Sequence, residues 1–123
     1  MRPMSAASRR LLVVDDEPDM LDFIERVFRR EYRVRRAQSV EEALPILEAE
    51  DIDVLITDQR MPRRSGFELL ERAATMRPAM VRILLTGYAE LGERPCGADA
   101  YVTKPVDGDT LKQAVAQAVA RKV

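Results

Sequence analysis

The chain has 123 residues, of which 46% are hydrophobic and 33% charged, a length and composition typical of one globular domain. Its 20 basic and 21 acidic side chains nearly cancel, so the formal charge of −1 provides no general attraction to nucleic acid. We therefore expect no direct nucleic-acid binding. Because the sequence contains no histidine, it excludes Ser-His-Asp triads, Cys-His dyads and histidine-ligated zinc.

The first residues and the single cysteine indicate the cellular compartment. The first ten residues lack the apolar core of a signal peptide, and no aliphatic run approaches the length of a membrane span. One thiol cannot form an intrachain disulfide, which fits a reducing compartment. The sequence predicts a cytoplasmic protein without membrane attachment, with a mobile tail over residues 1–8 and one domain over 9–123.

The first part of the chain predicts a strand, a helix and a second strand. Residues 11–14 are an unbroken aliphatic run that ends at Asp15 and Asp16, a pattern typical of a parallel strand buried on both faces. Apolar residues at helical spacing then predict a helix over 18–30. A short second strand is predicted over 32–37.

The middle of the chain repeats this order. Ser39 and Glu42 form a capping-box pattern that begins a helix through residue 50. Residues 52–58 are again an aliphatic strand that ends in a carboxylate, here Asp58. Strand and helix therefore alternate from the start.

A second capping-box pattern, Ser65 with Glu68, begins a third helix that ends at Pro78. The remaining predicted elements are strands over 80–86 and 100–103 and a final helix over 107–122. Alternating strands and helices indicate a parallel sheet wrapped by helices, with a ligand crevice at the carboxyl ends of the strands.

Five polar residues follow or end these strands: Asp15, Asp16, Asp58, Thr86 and Lys104. Each ionised carboxylate pair repels by roughly 4 kcal/mol at about 4 Å and an effective dielectric near 20. A cation must offset this repulsion. Lys104 supplies one positive charge, and hard carboxylate oxygens favour Mg²⁺ or Mn²⁺ as the second source.

Four short motifs occupy these strand ends: Asp15-Asp16, Thr57-Asp58-Gln59-Arg60-Met61-Pro62, Leu85-Thr86-Gly87 and Thr103-Lys104-Pro105. Together they resemble the receiver domains of bacterial two-component response regulators, and the resemblance runs from about residue 9 to residue 122. It implies a doubly wound α/β fold of the flavodoxin-like type, with five parallel strands in the order 2-1-3-4-5.

The resemblance also implies a phosphoacceptor signalling switch. Asp58 would take a phosphoryl group from a sensor histidine kinase, a phosphotransfer protein or a small donor such as acetyl phosphate. Asp15, Asp16, Asp58 and the backbone carbonyl of Arg60 would hold Mg²⁺, for which Mn²⁺ would substitute. The domain would catalyse only its own phosphorylation and dephosphorylation, and would turn over no external substrate.

The same resemblance assigns the response to phosphorylation. Thr86 would hydrogen-bond the new phosphoryl oxygens, Lys104 would pair with them, and Tyr101 would move inward as the switch aromatic. The Lys104-Pro105 peptide bond is expected to be cis. A downstream output protein or domain would then recognise the altered surface.

One interval departs from the family. Thr86 and Lys104 are eighteen residues apart, about one helical turn closer than is usual, so the fourth helix is predicted to be short or missing. We expect an order change over residues 88–97 on phosphorylation, with the partner recognising that loop and Tyr101.

Two alternatives to the switch are open. One is an interaction module of the same fold that acts without phosphorylation. The other is a magnesium phosphohydrolase, which is disfavoured because Arg60 stands where such an enzyme would need a general acid. A cluster of six arginines is interpreted as a solvated face, with docking of a kinase or another acidic partner as the alternative: Arg26, Arg29, Arg30, Arg33, Arg35 and Arg36.

Overall fold

The computed structural model describes residues 9–87 and 98–122. Along these residues the elements are β1 (Arg10–Val14), α1 (Pro18–Phe28), β2 (Arg33–Ala37), α2 (Val40–Ala49), β3 (Val54–Asp58), α3 (Gly66–Met76), β4 (Val81–Thr86), β5 (Ala100–Thr103) and α4 (Gly108–Lys122). The elements predicted for these residues are all present in the predicted order, and α4 corresponds to the final helix of the sequence analysis.

The strands form one parallel sheet in the order β2-β1-β3-β4-β5, which confirms the predicted doubly wound fold. Every residue of β3 and β4 is buried, which explains why these strands are aliphatic without alternation. Helices α1 and α4 cover one face of the sheet, and α2 and α3 cover the other. The sheet therefore lies between two apolar layers.

Side-chain caps mark the starts of α2 and α3. Ser39 Oγ accepts a hydrogen bond from the backbone N–H of Glu42 at 3.1 Å, as the capping-box pattern predicts. Glu42 Oε1 accepts from the N–H of Gln38 at 2.8 Å. Ser65 Oγ accepts from the N–H of Glu68 at 3.3 Å, so both predicted caps are confirmed.

The edge strand β2 differs from the inner strands because only Ala37 in it is buried. Two of its arginines form ion pairs: Arg35 Nε lies 3.0 Å from Glu50 Oε2, and Arg36 NH1 lies 2.8 Å from Asp22 Oδ1. Charged side chains on an edge strand oppose pairing with another sheet. The strand is thus held by its pairing with β1 and by two apolar side chains, Val34 and Ala37, which pack into the layers on either face of the sheet.

Several predictions concern residues outside the described ranges. These are the mobile tail over 1–8, the short or missing fourth helix between β4 and β5, and the order change over 88–97. Within the described ranges, no helix has both the length and the apolar character that crossing a membrane requires.

Candidate functional site

The site lies at the carboxyl edge of the sheet, where the parallel strands end side by side. Asp15 and Asp16 follow β1, and Asp58 is the last residue of β3, the strand paired with β1. Thr86 ends β4, and Lys104 follows β5. The topology thus brings together all five polar residues that the sequence placed at strand ends.

Asp58 and Lys104 form a close ion pair. Lys104 Nζ lies 2.7 Å from Asp58 Oδ1, and Asp58 is only 6% exposed. Burial raises the pKa of the Asp58 carboxyl, and the hydrogen bond from Lys104 offsets part of that rise. Burial acts to lower the pKa of Lys104, but its hydrogen bond to Asp58 leaves that pKa above its ordinary value. The lysine is therefore held positively charged against Asp58.

Asp15 is buried and incompletely partnered. Its Oδ1 accepts a hydrogen bond from the backbone N–H of Glu17 at 2.9 Å. Its Oδ2 has no hydrogen-bond partner among the described residues, and Lys104 Nζ is 3.9 Å away. Burial, with a smaller effect from the charge of Asp58, raises the pKa of Asp15 to about 6. One lysine is thus shared unequally between two buried carboxylates.

Asp16 completes an acidic cluster. Asp15, Asp16 and Asp58 each present a carboxylate oxygen within 4.8 Å of the others, and Asp16 is exposed to solvent. This donor set fits Mg²⁺, because the oxygens are hard, the site is open on one side and one buried oxygen has no hydrogen-bond partner within the described ranges. Arg60, two residues beyond Asp58, lines with Asp16 a pocket of about 480 Å³ beside the cluster.

The two residues expected to respond to phosphorylation lie on β4 and β5. Thr86 is buried, and its hydroxyl donates to the carbonyl of Gly87 at 3.2 Å. Tyr101 is partly buried and packs against the apolar layer under α2 and α3. The backbone N–H of Lys104 donates to the carbonyl of Thr86 at 2.8 Å, so the threonine and the lysine are linked through the main chain. The Lys104-Pro105 bond is cis, as expected.

Two residues that position Asp58 were missed by the sequence analysis. The Gln59 side chain accepts from the N–H of Phe67 at 3.0 Å, and the Gln59 carbonyl accepts from the N–H of Gly66 at 3.0 Å. A Cβ atom at Gly66 would overlap the carbonyl oxygen of Asp58. A glycine directly after the Ser65 cap was the available signal, because a close backbone approach requires one.

Comparisons with known proteins agree with this geometry. Residues 11–116 match the family described as "Response regulator receiver domain". The hydrogenase transcriptional regulatory protein HoxA of Bradyrhizobium diazoefficiens is 35% identical over 114 residues, 89% of this chain and 24% of that protein. The transcriptional regulatory protein GlrR of Escherichia coli K12 is 34% identical over 121 residues, 94% of this chain and 27% of that protein. The chain thus spans about a quarter of the length of these curated relatives.

Solved structures show the same fold. A response regulator receiver domain protein from Clostridium thermocellum has a TM-score of 0.84 and 35% identity, covering 93% of this chain and 96% of that one. The response regulator TrrA of Thermotoga maritima, solved in complex with Mg²⁺-BeF, has a TM-score of 0.82 and 32% identity. That comparison covers 89% of this chain and 98% of TrrA.

Proposed function

Because the chain belongs to the response regulator receiver domain family, we propose that it is a phosphoacceptor switch in which Asp58 takes the phosphoryl group. The family consists of signalling domains rather than metabolic enzymes. The observation that carries the proposal is the placement of Asp58. It is a buried carboxylate 2.7 Å from a lysine ammonium and within a cluster of two further carboxylates.

The chemistry is a transfer of the phosphoryl group to carboxylate. One oxygen of Asp58 attacks phosphorus, while the bond from phosphorus to the donor breaks and its electron pair leaves with the donor. The product is an acyl phosphate on Asp58. The donor is the phosphohistidine of a sensor kinase or phosphotransfer protein, or a small acyl phosphate.

Positively charged groups around Asp58 would compensate the negative charge of the transferring phosphoryl group. Lys104 already pairs with Asp58, so its ammonium is in place to pair with the phosphoryl oxygens. Asp15, Asp16, Asp58 and the Arg60 carbonyl would hold Mg²⁺, with Mn²⁺ as a substitute. When bound, this ion supplies positive charge to the transferring phosphoryl group.

Thr86 and Tyr101 carry the structural response to phosphorylation of Asp58. Thr86 exchanges its present bond to the Gly87 carbonyl for a bond to the phosphoryl group, and Tyr101 moves toward the space that the hydroxyl leaves. An output protein or domain then recognises the changed surface near β5. The assignment of residues 9–123 as the receiver domain, and its cytoplasmic location, belong to the same proposal.

The test is labelling with acetyl phosphate and Mg²⁺, followed by intact-mass spectrometry. The unmodified protein should gain one phosphoryl group, and Asp58→Asn should gain none. Asp19→Asn is the matched control, because it removes an exposed carboxylate from the first turn of α1 and should label normally. Labelling of Asp58→Asn would overturn the acceptor assignment. Failure of the unmodified protein to label would favour the interaction module that acts without phosphorylation.

A further inference from the structure

A second charged pocket lies at the amino edge of the sheet, opposite the acidic cluster. Arg10, at the start of β1, stands in register with Arg33, at the start of β2. These two residues, with Arg35 and Glu50, line a pocket of about 330 Å³ beside the C-terminal end of α2. The pocket is therefore lined by three arginines and one glutamate.

The charges in this pocket do not balance. Glu50 is engaged by Arg35, whose Nε lies 3.0 Å from Glu50 Oε2. Within residues 9–87 and 98–122, the guanidinium groups of Arg10 and Arg33 have no hydrogen bond or ion pair. Asp53, next to Arg10, has its Oδ2 bonded to the backbone N–H of Arg10 and does not line the pocket. In the described part of the chain, two guanidinium groups on neighbouring strands, which lie roughly 4.8 Å apart, are therefore without a bonded carboxylate, although Asp53 lies beside the backbone of Arg10.

Protection of the sheet edge accounts for charged residues on β2 but not for Arg10. On the edge strand β2, Arg36 already opposes pairing with another sheet, and both Asp22 and Glu25 form ion pairs with it. Arg10, in contrast, belongs to β1, an inner strand between β2 and β3. An inner-strand arginine facing an unpaired arginine raises the electrostatic energy of the fold, and an anion in the pocket would lower it.

We propose that this pocket binds a small soluble molecule that carries a phosphate group. A phosphate monoester has a charge between about −1.5 and −2 at neutral pH, which suits two guanidinium groups that lack a bonded carboxylate among the described residues. The planar forks of arginine suit phosphate oxygens because each fork can donate two parallel hydrogen bonds. A concave site of this size suits a small molecule better than the surface of a folded protein.

The test is calorimetric titration with inorganic pyrophosphate in the absence of Mg²⁺. We expect one saturable site in the unmodified protein. Arg33→Gln and Arg10→Gln should each weaken binding about tenfold or more, since each removes charged hydrogen bonds from the anion. The matched control is Arg29→Gln, which removes the same charge from an exposed position beyond α1 and outside the pocket lining, and should leave affinity within twofold.

Several outcomes would overturn the proposal. Equal weakening by Arg29→Gln would mean diffuse attraction without a site, and equal affinity for citrate would contradict recognition of phosphate. Loss of binding in Lys104→Ala but not in Arg33→Gln would place the anion at Asp58 instead. Arginine-dependent sedimentation with phosphatidylglycerol vesicles, without pyrophosphate binding, would indicate a membrane surface as the ligand. Thermal unfolding of each variant checks that Arg33→Gln and Arg10→Gln are folded before titration.

Discussion

Two carboxylate–lysine pairs at opposite edges of the sheet have different surroundings. At the amino edge, both oxygens of Asp99 lie 3.0 Å from Lys122 Nζ, and Oδ2 also accepts from the backbone N–H of Arg82 at 2.7 Å. Lys122 additionally donates to the carbonyl of Met80 at 3.1 Å. This pair joins the end of α4 to the starts of β4 and β5, so it stabilises the fold.

At the carboxyl edge, Lys104 pairs with Asp58, and the nearby Asp15 has a buried oxygen for which the described residues provide no hydrogen-bond partner. The carboxylates there are held close together at a cost in folding free energy. Under the proposed function, the amino edge stabilises the fold and the carboxyl edge binds a cation and accepts a phosphoryl group. Matched substitutions at the two edges should therefore change stability in opposite directions.

The largest effect should come from Asp15→Asn, which we expect to stabilise the protein at pH 8 without Mg²⁺. The folded-state pKa of Asp15 is raised from 3.8 to about 6, so ionisation opposes folding. Stability of the unmodified protein should fall as pH rises from about 4 through about 6. At pH values above about 6, the raised pKa lowers the free energy of unfolding of the unmodified protein by about 3 kcal/mol.

Urea unfolding at pH 4 and pH 8 measures the difference in free energy of unfolding between Asp15→Asn and the unmodified protein. This difference should nearly vanish at pH 4. Saturating Mg²⁺ should reverse the order of stabilities at pH 8, because the ion binds the native acidic cluster and the variant has lost one ligand. A variant less stable than the unmodified protein at pH 8 without Mg²⁺ would show that Asp15 is satisfied when ionised.

The same substitution at the other edge, Asp99→Asn, should destabilise the protein by about 2 kcal/mol. It removes the charge that pairs with Lys122, while the amide oxygen still accepts from the N–H of Arg82. We expect only a moderate loss of stability because both side chains are about a fifth exposed to solvent. Urea unfolding at pH 8 provides the measurement, and a gain in stability would remove the contrast between the two edges.

Gly66→Ala should cost about 1 to 2 kcal/mol, because the added methyl group must displace the backbone at Asp58. The displacement also moves the acceptor carboxylate, so Mg²⁺ affinity should fall together with stability. Gly108→Ala is the matched control, since a Cβ there would lie 3.2 Å from a side-chain methyl of Val27 rather than against the backbone of the site. Unchanged Mg²⁺ affinity in Gly66→Ala would show that the close approach does not position Asp58.

The smallest effect is expected for Asp51→Ala, at an exposed ion pair on the α2 side of the sheet. Arg77 NH1 lies 2.9 Å from Asp51 Oδ1, but the aspartate side chain is 91% exposed. Water and salt screen such a pair, so stability should change by less than about 0.5 kcal/mol. A loss of stability as large as that of Asp99→Asn would show that this exposed ion pair stabilises the fold as much as the partly buried one.

The order of the elements and most residues of the candidate site could be predicted from the sequence alone. Aliphatic runs that end in carboxylates predict buried parallel strands, and the serines at 39 and 65 predict helix starts because their side chains bond to nearby backbone N–H groups. Since parallel strands end at one edge, the residues that follow them are brought together without knowledge of packing.

The sharing of charge among residues distant in the chain depends on tertiary packing. The tertiary structure pairs Lys104 with Asp58 at 2.7 Å rather than with Asp15 at 3.9 Å, and it joins Asp99 to Lys122. It also leaves Arg10 facing Arg33. Local spacing does not predict these pairings, because they depend on the register of the strands and on the depth at which each side chain is buried.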